Sequence, residues 1–592
     1  MKKYLLVLVG LCCVLSYALA ERPDYPELKK SDANIIGHVL DKKTKEHLPY
    51  ITIALKGTTI GTVTDATGHY FLKNLPEGNF ILEVSSVGYK TVTRNVTLKK
   101  GKTLEEDFEI EEDAIALDGV VVSANRSETT RRMAPTLVNV VDLKLFETTN
   151  SSTLSQGLNF QPGVRVETNC QNCGFQQVRI NGLDGPYTQI LIDSRPVFSA
   201  LSGVYGLEQI PASMIERVEV MRGGGSALFG SSAIAGTINI ITKEPLRNSG
   251  QLSHTITSLG GSSSFDNNTS LNVSLVTDDH RAGLYIFGQN RYRSGYDYDG
   301  DGFTELPKLK NQTVGFRSYL KTSTYSKLTF EYHHMQEFRR GGDMLNRPPH
   351  EAHIAEQLQH SIDGGSLKFD YFSPDEKNRL SVFASAANTD RDSYYGPGND
   401  PLKAYGKTTD LTAMGGAQYV HTFDKCFFMP SDLTAGLEYN RDRLKDNMWG
   451  YNRHTDQTVN IYSAFLQNEW KNDRWGILIG GRLDKHNMVD NVIFSPRANL
   501  RFNPTQNINL RLSYSSGFRA PQAFDEDMHI ENVGGTVAMI ERAKNLKEEK
   551  SQSFSASADM YHRFGVFQTN FLIEGFYTRL TDVFVLGEPY DR

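Results

Sequence analysis

From residue 246 onward the chain is built of segments in which apolar and polar side chains alternate. Examples are Ala282-Gly283-Leu284-Tyr285-Ile286-Phe287-Gly288, Lys327-Leu328-Thr329-Phe330-Glu331-Tyr332 and Gly476-Ile477-Leu478-Ile479-Gly480-Gly481-Arg482-Leu483. A period of two is the mark of a strand with one apolar and one polar face. Short connections at residues 277–280 and 324–326 alternate with long polar stretches at 294–311, 336–360 and 389–411. Short turns on one side and long loops on the other point to a transmembrane antiparallel β-barrel. After residue 20 no stretch approaches the ~18 apolar residues of a spanning helix, so any membrane crossing must be made by strands.

The first residues give an address. Lys2 and Lys3 precede an apolar run over residues 4–15, and Ala18-Leu19-Ala20 precedes Glu21. This is the pattern of a secretory signal peptide over residues 1–20. A lipid anchor at Cys12 or Cys13 fits poorly, because Leu11 is too large for the residue before a lipidated cysteine. The mean hydropathy of −0.41 excludes a polytopic helical membrane protein but not a barrel wall, whose two faces average out polar. With 63 Lys and Arg against 69 Asp and Glu, the net charge of −6 lacks the basic excess of a nucleic-acid binder.

Three blocks follow the signal. Residues 35–111 carry short β-branched runs such as Tyr50-Ile51-Thr52-Ile53-Ala54-Leu55, bounded by turn signals at Lys56-Gly57, Pro76-Glu77-Gly78 and Val87-Gly88. They read as a small β-sandwich, and GTVTDATGHYFLKNLPEGNFILEVSSVGYK (residues 61–90) resembles the carboxypeptidase-regulatory-like domain. His38, His47 and His69 lack the H-x-x-E or H-E-x-x-H spacing of a zinc peptidase, so a structural module is expected and no catalytic residue. Next comes an acidic linker, residues 112–128, holding Leu117-Asp118-Gly119-Val120-Val121-Val122. That hexad resembles a TonB box, an extended segment that adds as a strand to the sheet of an energy-transducing periplasmic protein.

Residues 129–245 are the most specific. LNFQPGVRV (158–166), RINGLDGPYTQILIDSRPV (179–197) and IPASMIERVEVMRGGGSALFGSSAIAGTINIITKEP (210–245) resemble the small α+β plug domain of TonB-dependent outer-membrane receptors. The glycines at 223–225 are not followed by G-K-[ST], which argues against a phosphate cradle. Glu216, Arg217, Glu219 and Arg222 place charges among buried strand positions, and the resemblance implies that they pair with the barrel wall. FSPRANLRFNPTQNINLRLSYSSGFRAPQAFDED (494–527) resembles the later barrel strands of the same family. The fold expected is therefore all-β dominated, a sandwich, a plug and an incomplete barrel over residues 246–592. Plugged transporters close at ~22 strands, against about 15 strand-like segments here, so the sequence is expected to be a fragment or a shortened reading frame.

The resemblance implies uptake of a metal chelate, iron–siderophore first and haem or cobalamin as alternatives, in the outer membrane with the N-terminal domain periplasmic. A surface ligand-binding module without transport is the rival. The implied partners are the TonB protein, the chelate and a surface lipoprotein, with no cofactor required. Cys170 and Cys173 form a C-x-x-C pair, most simply a disulfide in an exported chain, since a zinc site would need two further ligands that the neighbouring sequence does not supply. With Phe175 they stiffen an apical loop expected to face the ligand. His333, His334, His350, His353 and His360 follow Tyr332, and His529 follows the F-R-A-P motif at 518–521. Imidazoles suit haem iron or cobalt, so these histidines, His360 apart, are taken as candidate ligand contacts. Asp297, Asp299 and Asp301 fit the first half of a calcium loop, although Lys308 stands at its twelfth position.

Overall fold

The computed structural model describes residues 30–588 apart from 66, 87–88, 112–119, 171–172, 197–206, 209, 278, 398–403, 524, 534–535, 544 and 565–566. The signal peptide and Leu117, Asp118 and Gly119 of the hexad lie outside the described residues.

The alternating block forms one 15-stranded antiparallel sheet whose strands follow one another in chain order, from Ser249–Ser258 to Phe567–Thr581. The pattern on Trp475–His486 shows why this sequence makes a wall. Ile479 and Leu483 are 56% and 48% exposed on the outer face, while Arg482 and Asp484, on the other face, are buried. Neighbouring strands are joined by long antiparallel ladders, which satisfy backbone groups where the sheet crosses lipid.

Several strands are far longer than the ~9–11 residues that cross a bilayer. Ile354–Phe372 has 19 residues, Asn378–Pro397 has 20 and Tyr405–Cys426 has 22. This corrects three expected loops. Lys308–Ser323 begins inside the stretch 294–311, Ser326–Gly342 and Ile354–Phe372 occupy most of 336–360, and two further strands occupy most of 389–411. Beyond the lipid both faces of a strand are polar, so the alternation vanishes while the hydrogen-bond ladder continues. His333, His334 and His360 consequently lie on strands.

The plug block holds a four-stranded sheet in the order Val138–Asp142, Ile215–Arg222, Gly236–Thr242, Thr188–Ile192, and a separate hairpin of Val164–Cys170 with Phe175–Ile180. The short helix Leu143–Thr148 starts at Asp142, whose carboxylate accepts the Leu145 N–H. Ile190, Val218, Val220 and Ile238 form its core together with Tyr285 and Phe287 of the wall, so plug and wall share one apolar interior. Gly236 has φ +154, and a Cβ there would lie 2.2 Å from the Met221 carbonyl oxygen, which is why only glycine fits.

The N-terminal block is a sandwich of two four-stranded sheets around Ile35, Ile53, Leu82, Val84 and Phe108. It sits at the short-turn end of the wall. The Thr59 N–H donates to the Thr324 carbonyl at 2.8 Å, and Thr62 Oγ1 meets His280 Nε2 at 3.1 Å.

Candidate functional site

Two places concentrate polar chemistry: the path of the chain from linker into plug, and the plug apex at the long-loop mouth. On the first path, Val120–Val121 pairs antiparallel with Thr129–Thr130, and Val121 is buried beside Val138, Leu191 and Leu228. Glu219 Oε2 then accepts the Val122 and Ser123 N–H groups, each at 2.9 Å, and the Ser123 hydroxyl at 2.7 Å. Its other oxygen lies 3.0 Å from Arg217, which also meets Glu216 at 3.0 Å. Of the four charged residues expected to reach the wall, Arg222 does so, 2.5 Å from Glu574. Glu216, Arg217 and Glu219 instead pair within the plug block and its incoming segment. The reason is strand period: Arg217 and Glu219 share one face of Ile215–Arg222, and Glu219 there meets the N–H groups of the incoming segment.

The wall holds the following residues of that segment. Asn125 Nδ2 donates to Glu469 at 2.7 Å, Gln467 donates to the Asn125 carbonyl at 2.9 Å, and Arg497 donates to the Ala124 carbonyl at 3.0 Å. Arg126 and Arg482 share Glu438, at 2.5 and 2.7 Å. Higher in the plug, Glu208 faces three wall arginines, Arg339 at 2.8 Å, Arg293 at 3.3 Å and Arg291 at 3.5 Å. Burial works against its charge, but Arg293, Arg339 and Arg291 together hold its carboxyl down to about 2. Sequence reasoning missed these wall partners. Their signal was present as charged residues at alternate strand positions, Arg291 with Arg293 and Glu337 with Arg339.

At the mouth, the hairpin presents Cys170 and Cys173, and they are thiols rather than the expected disulfide. Cys170 donates to Glu356 Oε2 at 3.2 Å, Cys173 Sγ lies 3.5 Å from His529 Nε2, and His529 lies 3.5 Å from Glu356. One donor atom from each of the four residues lies within 4.8 Å of all the others. Two side chains remote in sequence, one on the wall strand Ile354–Phe372 and one in the loop after Arg519, join the two free thiols in this group. The hydrogen bond from Cys173 lowers the Cys170 thiol to about 7. Burial opposes charge on His529, but hydrogen bonds to Cys170 and Glu356 raise it to about 10. Phe175 stacks edge-on against His529, ring centres 5.4 Å apart.

The other histidines do not converge on this place. His350 Nδ1 pairs with the Tyr405 hydroxyl at 2.8 Å, and His353 Nδ1 with Asp343 at 2.5 Å. His334 meets Asp363 at 2.9 Å, and the adjacent His333, on the opposite face of the strand, lies near Arg195 and Met214 of the plug. In the acidic loop, Asp297 and Asp299 gather with Glu305 rather than with Asp301, whose carboxylate accepts the Phe303 N–H at 2.8 Å.

Comparison with known proteins bears directly on this arrangement. The TonB dependent receptor-like β-barrel family matches residues 236–591, its plug domain matches residues 130–237 and the CarboxypepD_reg-like domain matches residues 35–122. The chain belongs to the TonB-dependent receptor family. Its 15-stranded sheet is part of an outer-membrane β-barrel wall, with the first and last described strands unpaired to each other, the short turns and sandwich on the periplasmic side and the long loops outside.

Among curated proteins, the vitamin B12 transporter BtuB of Vibrio vulnificus (strain CMCP6) is 24% identical over 425 residues, covering 69% of this chain and 64% of that transporter. The chain thus spans under two thirds of its length. BtuB of strain YJ016 is 35% identical over 125 residues, 21% of this chain and 20% of that one. Among solved structures, the siderophore receptor PirA from Acinetobacter baumannii aligns with a TM-score of 0.60 at 19% identity, over 76% of this chain and 78% of its own. The ferric yersiniabactin uptake receptor FyuA from Yersinia pestis aligns with 0.59 at 14% identity, over 76% and 74%. At these identities the structures share the fold.

Proposed function

We propose that this chain is a TonB-dependent transporter that takes up a metal chelate, an iron–siderophore complex first, with haem or cobalamin entering by the same route as alternatives. The names of its relatives, siderophore and ferric yersiniabactin receptors and vitamin B12 transporters, support that substrate class. The observation that carries the proposal is the lodging of the linker. Val121 to Ser123 are buried or half-buried against the plug sheet, and the N–H groups of Val122 and Ser123 are held by one buried carboxylate, Glu219.

A periplasmic partner that pairs as a strand with residues 117–122 would draw on this point first. Breaking the bonds to Glu219 leaves one oxygen of that buried carboxylate without its three donors, so the plug sheet must respond. Chelate captured at the mouth, near Cys170, Cys173, Phe175 and His529 and beside the loop histidines His350 and His353, then gains a path along the wall. Chemistry is limited to binding and displacement, and no covalent bond to the cargo changes.

Deleting residues 117–122 tests this. Uptake of radiolabelled chelate by cells should fall to background while chelate binding to the cell surface stays unchanged. Undiminished uptake would contradict import through TonB and favour a binding module without energy coupling. Growth with siderophore, haem or cobalamin as the sole source identifies the cargo.

A further inference from the structure

The group at the plug apex has a geometry that hydrogen bonding among four polar side chains does not by itself require. Zinc-type bond lengths of about 2.3 Å to sulfur and about 2.0–2.1 Å to nitrogen or oxygen give a tetrahedron with edges of roughly 3.4–3.8 Å. Three separations in the group are 3.2, 3.5 and 3.5 Å, so a small adjustment would accommodate such an ion. Gly174, at φ +69, turns the chain so that its N–H reaches the Cys170 carbonyl at 3.0 Å, setting both thiols on one side of the turn. Cys173 and Glu356 are buried, and Leu358, Tyr395, Met448 and Ile530 wall the group with apolar surface.

We propose that Cys170, Cys173, Glu356 and His529 form a four-coordinate site for a single borderline-soft divalent transition-metal ion of the zinc class, which ties the plug apex to the barrel wall. Two thiolates and an imidazole select such an ion over hard calcium or magnesium, and the carboxylate completes the shell. The C-x-x-C spacing is that of half a zinc site; the other half comes from the wall and from the loop after Arg519. The ion would therefore join three segments that the chain holds apart.

The test uses the full chain, purified in detergent under anaerobic reducing conditions, stripped with a chelator and titrated with cobalt(II) as an optical probe. One ion per chain is expected, with a thiolate-to-cobalt charge-transfer band and the intense visible bands of a four-coordinate centre, all displaced by one equivalent of zinc. His529→Ala and Glu356→Gln should each weaken zinc binding by at least about tenfold. Six-coordinate cobalt without the charge-transfer band would overturn the proposal, as would zinc affinity that neither substitution alters. So would a Cys170–Cys173 disulfide in chains whose thiols are acid-trapped directly from membranes. The spectrum of the unsubstituted chain decides the matter even where a variant fails to fold.

Discussion

A buried charge survives only where its partners are fixed, and Glu208 meets that condition through Arg291, Arg293 and Arg339 on two different wall strands. Glu208→Gln removes the carboxylate that Arg293 meets, while Arg291 keeps Asp266 and Arg339 keeps Glu337. A loss of about 3–5 kcal/mol is expected, read as a lower unfolding midpoint at pH 7. The pH dependence has a definite sign. Because the folded carboxyl is depressed from 4.5 to about 2, its contribution is complete above 4.5 and is lost as pH falls toward 2. The parent should lose stability over that window more steeply than the variant; parallel curves would contradict the assignment. Cys170, Cys173 and His529 were each legible in the sequence as candidates. Glu356 was not, since an inward-facing glutamate on a strand looks like any lumen residue until the fold brings it 186 positions back to Cys170.

Strands were legible wherever one face meets lipid, because there the two faces differ most. Ile479 on Trp475–His486 is 56% exposed on that outer face. Ile479→Arg should cost about 2–4 kcal/mol if the position lies near the bilayer midplane, measured by urea-dependent refolding into lipid vesicles. No change in the midpoint would mean that this face does not meet lipid. At the short-turn end Trp475 stacks on Phe502 at 4.3 Å and Phe428 on Trp470 at 5.7 Å, the aromatic pairs expected where such a wall leaves the lipid. The upper halves of the long strands were not legible, for there polar residues occupy both faces and a strand such as Tyr405–Cys426 begins in what reads as loop.

At the scale of the whole molecule, the sandwich meets the wall at its short-turn end, and residues 120–128 of the linker lie against plug and wall. The family resemblance conveyed that order. The contacts that would transmit or resist a pull, Glu219 to the linker and Arg222 to Glu574, needed the fold. For cargo to pass in the proposed transport, the plug must shift against the wall. Gly224 of the plug approaches the wall closely: a Cβ built there lies 3.8 Å from the Ser553 Cβ and 3.0 Å from that of Ser515. The first separation is close to the mean of about 3.8 Å between the Cβ atoms of a disulfide. Gly224→Cys with Ser553→Cys, and Ser515→Gly to clear the space, should therefore cross-link plug to wall on oxidation. The decisive measurement is chelate uptake by cells carrying this triple variant, before and after reduction. Uptake should be absent while the cross-link is intact and return when it is reduced, with surface binding of chelate equal in both states; uptake at the parent rate through an intact cross-link would contradict a moving plug.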